Sequence, residues 1–283
     1  MNGMTEQLRV EIHRSVAQAL AEDIGPGDYT AQLIAAGSSA RGRVVTRQDA
    51  VLAGSQWFDA AFRMLDPEAS VIWHVRDGER IAPGQVLCEI FAQAQALLTA
   101  ERTALNFLQL LSGTATITAS YVAAVAGTRA DIVDTRKTLP GLRLAQKYAV
   151  SVAGGVNHRI GLYDGVLIKE NHIIAAGGIA QAMQRAQSLA PSNVFIEIEV
   201  ENLAELEEAL ACGAKMVLLD NMSLEDMREA VRINAGRAKL EASGGVSLER
   251  VRAIAETGVD RISIGALTKD VAAIDLSLRH IEA

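Results

Sequence analysis

A chain of 283 residues is long enough for one large α/β domain or two smaller ones with ample core. Its 49% hydrophobic and 22% charged residues are those of an ordinary globular protein, and only 4% aromatics leave the core to Ala, Val, Leu and Ile. The net charge of −7 with so few aromatics argues against nucleic-acid binding, and two distant cysteines, Cys88 and Cys212, exclude a CxxC zinc or redox motif and fit a reducing compartment.

The N-terminus, MNGMTEQLRVEIHR, carries charges where a signal peptide needs an apolar run, which predicts a cytoplasmic protein. Leu8, Ile12, Val16, Ala19 and Leu20 then fall at helical spacing, and the Gly-Pro-Gly of EDIGPGDYT ends that helix. Strands are expected at 41–47 and 71–76 with a helix at 56–65 between them, followed by a turn and short strand over 77–90. A strongly helical stretch covers 93–111, where Arg102 and Asn106 share a face one turn apart. The 26 residues from Thr103 to Thr128 hold no charge, but Asn106, Gln109 and a series of Ser and Thr dilute them, and Gly113 interrupts them. Buried helix at a domain or subunit interface is the reading, with no membrane span.

From Asp131 strands alternate with helices. Strands are expected at 131–135, 165–169, 194–200, 216–220, 239–243 and 261–265, with helices near 142–153, 179–189, 203–212, 224–234 and 248–256. The alternation implies a parallel sheet with helices outside. Six strands are too few for an eight-fold barrel, so the fold class is α/β, with an open six-stranded α/β barrel behind a small N-terminal α/β layer. An open α/β sheet is the alternative.

Barrel chemistry sits at the C-terminal ends of the strands. Those positions hold Thr135, Arg136 and Lys137, then Lys169 and Glu170, Glu199, Asp220, Ser243-Gly244-Gly245, and Gly265-Ala266. The stretch from Asp134 to His172 holds six Lys and Arg against three Asp and Glu, whereas the remainder holds 21 basic and 31 acidic residues. Such a basic island is suited to a small polyanion. Glu197 and Glu199 share one face of their strand, toward a polar lumen, and with Asp220 could orient hydroxyls, hold Mg²⁺ or stabilise a cationic transition state. Alternatively Glu197 pairs with a nearby lysine. His158 and His172, without a neighbouring histidine, read as anion or hydrogen-bond donors rather than metal ligands. P-loop, HExxH and GxSxG motifs do not occur.

The combination of ERTALN, DTRKT, KYAV, NHR, KENH, EIEVEN, LLDNM, EASGGV and ISIGALT resembles the quinolinate phosphoribosyltransferase family, also called carboxylating nicotinate-nucleotide pyrophosphorylases. The resemblance runs from ALAEDIGPGDYT to the ALT near the end. It implies that quinolinate and phosphoribosyl pyrophosphate give nicotinate mononucleotide, pyrophosphate and CO₂, with Mg²⁺. It also implies a sandwich-like N-terminal α/β domain over 1–113, joined by the C-terminal segment 268–283, a barrel domain over 114–267, and a homodimer with a shared active site. Arg136, His158, Arg159 and Lys169 match the family's quinolinate pocket, beside Thr135. Lys137, Glu199 and Asp220 match its phosphoribosyl site, while Ser243, Gly244, Gly245, Ile264, Gly265 and Ala266 match its 5′-phosphate loops. Arg102 matches an arginine that reaches into the partner's site, and with Lys137, Glu199 and Asp220 makes up the implied catalytic set. Thr114, Tyr29 and Ala92 depart from the family's usual residues and are expected to alter packing or the start of the long helix alone. Rival readings are a molybdate-transport-associated relative of the same fold, a non-catalytic anion-binding protein, and a barrel lyase or aldolase with Lys137 or Lys169 as a Schiff-base amine.

Overall fold

The computed structural model describes residues 5–281. Met1 to Met4, which entered the reading of the N-terminus, and the last two residues of the C-terminal segment lie outside the described residues. The chain forms two compact units, one of residues 1–119, 138–154 and 268–283, the other of 120–137 and 155–267.

The first unit opens with α1 (Glu6–Ile24), whose Thr5 side chain accepts the Leu8 N–H and caps it. There follow β1 (Ser39–Thr46), β2 (Ala50–Val51), α2 (Ser55–Leu65), β3 (Ser70–Trp73), β4 (Arg80–Ile81), β5 (Val86–Gln93) and α3 (Ala94–Ala124). Trp57, Phe58 and Phe62 on α2 pack in one core with Leu87 and Ile90 of β5 and with Leu97, Leu105, Leu108 and Leu111 of α3. Gly113 does not interrupt α3, which runs unbroken for 31 residues. A Cβ at Gly113 would stand 2.2 Å from the Ala272 carbonyl oxygen, so the glycine admits a neighbouring backbone. Among the described residues no helix is long and apolar enough to cross a membrane.

The first strand of the second unit is β6 (Asp131–Val133). After it comes α4 (Arg143–Val152), which alternation alone assigns to the barrel. It groups instead with the first unit, where Ala145 and Ala149 join the hydrophobic core and polar side chains add ties. The Tyr148 hydroxyl donates to Asp77 Oδ2 at 2.7 Å and its ring lies 5.4 Å from that of Trp57. The buried Gln146 accepts from Leu139 N and donates to the Thr268 carbonyl. The barrel then continues through β7 (Gly165–Ile168), α5 (Glu170–Ala176), α6 (Ile179–Leu189), β8 (Phe195–Val200), α7 (Leu203–Ala211), β9 (Met216–Asp220), α8 (Leu224–Asn234), β10 (Lys239–Ser243), α9 (Leu248–Ala255), β11 (Arg261–Ser263) and α10 (Ala266–Lys269). The chain closes with β12 (Leu276–Ile281).

The parallel sheet has the order β6-β11-β10-β9-β8-β7. Each strand lies beside its successor and the first beside the last, which is barrel connectivity with a seam open between β6 and β7. At the seam Val156 forms a parallel bridge to Val133, donating its N–H to Ile132 O at 2.8 Å. The antiparallel sheet of the first unit has the order β12-β1-β5-β3, so the C-terminal strand pairs with β1 along its length, from Arg41 opposite Ile281 to Thr46 opposite Leu276.

Candidate active site

Thr135, Arg136 and Lys137 lie just beyond β6, and Gly265 just beyond its neighbour β11. The Lys137 N–H donates to Thr135 Oγ1 at 3.0 Å, turning the chain back over the strand tip. A Cβ on Gly265 would stand 3.0 Å from Lys137 Cδ and 3.7 Å from Thr135 Oγ1, so the lysine stem lies directly over the glycine. Ile264 is buried and its N–H is committed to Val133 O at 2.9 Å. It therefore belongs to the strand ladder, and a phosphate donor at this corner has to come from its neighbours.

The seam segment presents Arg159. Its N–H donates to His158 Nδ1, and its guanidinium Nη1 donates to the Gly165 carbonyl at 2.9 Å. The next two N–H groups, of Ile160 and Gly161, both go to the Asp164 carboxylate, which locks the loop. Burial, and next the Arg136 charge, hold the Arg159 guanidinium below its usual pKa. Two guanidiniums that repel each other in a partly desolvated place are suited to an anion, which would offset both the burial and the repulsion.

Just beyond β7 the Lys169 ammonium meets Oε2 of Glu199, near the end of β8, at 2.7 Å. Lys169 also caps α5, where its N–H donates to His172 Nδ1 at 3.0 Å, so His172 serves a helix end. Asp220 ends β9, and its Oδ2 accepts from Asn221 Nδ2 at 2.9 Å. Asn221 is itself left-handed at φ 54, and its N–H donates to Ser243 O, joining the tips of β9 and β10. Gly244 follows at φ +96, where a Cβ would meet Asn221 Oδ1 at 2.0 Å. This side of the barrel is acidic. The Glu201 carboxyl is pushed up by Glu170 foremost, then by burial, Glu205, Asp220 and Glu199. The strand tips thus divide into a cationic half, with Arg136, Lys137 and Lys169 and with Arg159 of the seam segment interacting with Arg136, and an acidic half, with Glu199 and Asp220.

Glu197 turns inward as its alternation with Ile196 and Ile198 requires, but it is fully buried and its partner is a histidine, not a lysine. His158, itself only 8% exposed, places Nε2 2.7 Å from Glu197 Oε2 and 3.6 Å from Glu241 Oε1. Arg261 Nε lies 2.9 Å from Glu241 Oε2. Glu197 is therefore out of reach of a substrate, and the expected role of His158 as an anion donor in the pocket is not what its ring geometry offers. Ligand atoms of His158, Glu197 and Glu241 do lie within 4.8 Å of one another. The tautomer nevertheless argues against a metal. His158 Nδ1 accepts the Arg159 N–H, so the ring proton is on Nε2 and no lone pair faces the carboxylates.

Arg102 is exposed on α3 in the first unit, and Glu101 beside it lies 3.9 Å from His280. Arg143 and Lys147, counted in the basic island, stand on α4 in that same unit. A cavity of about 290 Å³ in the first unit, bordered by Arg14, Gln18, Asn106 and Pro140, is lined by none of the strand-tip residues. Three residues that sequence reasoning passed over are Asn221, Glu241 and Arg261. Asn221 was visible in LLDNM as a polar residue at a strand end. Glu241 in LEAS stands on the same face of its strand as Ser243, and Arg261 begins the next strand, a pairing that only the register reveals.

Comparison with known proteins agrees with this geometry. Residues 28–112 match the quinolinate phosphoribosyl transferase N-terminal domain and residues 114–279 the C-terminal domain of the same family. The nicotinate-nucleotide pyrophosphorylase [carboxylating] of Mycobacterium leprae is 44% identical over 274 residues, covering 93% of this chain and 95% of that one. A probable enzyme of the same name from Bacillus subtilis is 42% identical over 257 residues, covering 91% and 89%. Among solved structures, the nicotinate-nucleotide pyrophosphorylase of Francisella tularensis superposes with a TM-score of 0.93 at 46% identity, covering 96% of each chain.

Proposed function

Because the chain belongs to the quinolinate phosphoribosyltransferase family, we propose that it transfers the phosphoribosyl group of phosphoribosyl pyrophosphate to quinolinate, releasing pyrophosphate and CO₂ and leaving nicotinate mononucleotide. The observation that carries this reading is the convergence of Arg136 and Arg159, a guanidinium pair suited to a ring dicarboxylate. Lys169 adds an ammonium on the next strand, tethered by Glu199 until substrate competes for it.

The division of the strand tips accounts for the chemistry. As the ribose C1–O bond to pyrophosphate breaks, C1 becomes oxocarbenium-like, and the Glu199 and Asp220 carboxylates stabilise that positive charge in place. Lys137, its stem over Gly265, meets the negative charge of the donor. The quinolinate ring nitrogen then forms the new bond to C1. The neighbouring carboxylate leaves as CO₂, its bonding pair stays on the ring carbon beside the pyridinium nitrogen, and that carbon takes a proton. Backbone groups of Ser243, Gly244 and Gly245 support the 5′-phosphate.

Magnesium fits the acidic half, since Mg²⁺ takes one or two carboxylates plus substrate phosphate oxygens, and the field that raises Glu201 marks an excess of negative charge there. Glu199 and Asp220 would hold it, and when bound it neutralises charge on the phosphates. The protein works in the cytoplasm as a homodimer in which Arg102 completes the partner's site. Formation of nicotinate mononucleotide and CO₂ from the two substrates with Mg²⁺ tests the reaction. Quinolinate binding without turnover would favour the non-catalytic alternative. An inactive Arg102→Ala protein mixed with an inactive Lys137→Ala protein should regain part of the activity, and no rescue despite demonstrated subunit exchange would refute the shared site.

A further inference from the structure

The barrel interior holds a polar network that none of the steps above uses. His158 is fixed at three points. Its N–H donates to Asp134 Oδ1 at 2.8 Å, its Nδ1 accepts the Arg159 N–H at 2.8 Å, and its Nε2 meets Glu197 Oε2 at 2.7 Å. The Phe195 ring packs edge-on against the imidazole at 5.5 Å. Because Nδ1 is an acceptor, Nε2 carries the proton and donates it to Glu197. The buried carboxylate thus selects the tautomer whose other nitrogen can hold the Arg159 backbone.

We infer that Glu197 and His158 are positioning residues for Arg159: the carboxylate sets the imidazole, the imidazole sets the Arg159 main chain, and the guanidinium is thereby aimed beside Arg136. The rest of Arg159 is fixed to match. Its Nη1 is held by the Gly165 carbonyl, and Gly165 has no Cβ, which would stand 3.1 Å from Arg159 Cβ and 2.6 Å from Phe195 Cζ. The residues that follow it are tied to Asp164. A long arginine side chain otherwise loses substantial rotamer entropy on binding an anion, and anchoring its backbone and one nitrogen beforehand reduces that cost.

The network is also sealed from solvent. Glu197 is 0% and Glu241 1% exposed, and Glu197 Oε1 is buried without a hydrogen-bond partner. Burial, and next the Glu197 charge, push the Glu241 carboxyl up to about 7, against the opposing pull of the Arg261 charge and the Ser263 hydroxyl.

The inference rests on the quinolinate reading, and calorimetric binding of quinolinate to the full chain separates the two. If the wild-type protein binds no quinolinate, that reading fails first. If it does bind, Glu197→Ala should weaken affinity about tenfold in the wild-type background and less than about twofold in an Arg159→Ala background, because both act through one guanidinium. Glu197→Gln keeps an acceptor for the imidazole and should restore affinity to within about threefold. Equal losses in both backgrounds would overturn the relay. Should Glu197→Ala not fold, nitrogen NMR of the wild-type His158 ring decides. An Nε2–H tautomer at neutral pH is expected, and an Nδ1–H or doubly protonated ring would refute it.

Discussion

Gly244→Ala puts the joint between β9 and β10 to a quantitative test. At φ +96 an alanine is strained, and a left-handed residue with a Cβ costs about 1–2 kcal/mol. The added carbon would stand 2.0 Å from Asn221 Oδ1, so the asparagine has to swing away and release Asp220. That charge-assisted bond, at the surface, contributes about 1–2 kcal/mol. Together the change should destabilise by about 2–4 kcal/mol and lower kcat, because Asp220 is no longer fixed where the sugar turns positive. Urea titration and steady-state kinetics measure the two effects. Asn221→Gly removes the side chain while tolerating its φ of 54. In that background Gly244→Ala should cost only the backbone part, giving a coupling of about 1 kcal/mol or more in the double-mutant cycle. Strict additivity would falsify the account, as would a Gly244→Ala enzyme with wild-type stability and kcat.

Arg136→Ala should mainly raise the quinolinate KM, by about 10–100-fold for a lost charge-assisted contact, whereas Asp220→Ala should lower kcat; equal KM effects from both would contradict the division of labour. Thr114 is fully buried on α3 with its hydroxyl oxygen unpartnered, so Thr114→Val should stabilise by about 1 kcal/mol, read as a higher denaturant midpoint at unchanged slope. Glu241 titrates near 7 when folded against an ordinary 4.5, so the folded state holds the extra proton; its contribution is full below pH 4.5 and is lost as pH rises toward 7, by at most about 3 kcal/mol. Stability of Glu241→Gln should lack that downward slope, and a variant whose pH profile parallels wild type would sink the assignment.

Much of the barrel was legible because its signal is local. Strands 216–220 and 239–243 match the periodicity reading residue for residue, and the cations and carboxylates beyond their neighbours follow from the rule about strand ends. Three things were not legible. The helix at 143–152 is apolar on one face like its neighbours, and which core Ala145 and Ala149 join is settled by tertiary contacts such as those of Tyr148 and Gln146, not by its own pattern. Gly113 looks like a helix breaker until the Ala272 carbonyl is seen against it. The His158–Glu197–Glu241–Arg261 network brings together side chains up to 103 positions apart in the sequence, and its members find one another through strand register and the seam bridge, which no single segment encodes. Tyr29, one of the departures from the family pattern, is 77% exposed and so has little packing to alter, while Ala92 lies within β5 and leaves the helix to start at Ala94.

The pairing of β12 with β1 has a consequence for synthesis on the ribosome. The strand that completes the N-terminal sheet is translated last, after every barrel strand, so the edge of β1 waits uncovered while some 230 residues emerge. An unpaired edge is a template for joining other chains. A nonsense codon shortly before Leu276 would spare the whole barrel and still yield a product prone to clump, through an opening left near its beginning by a loss at its end.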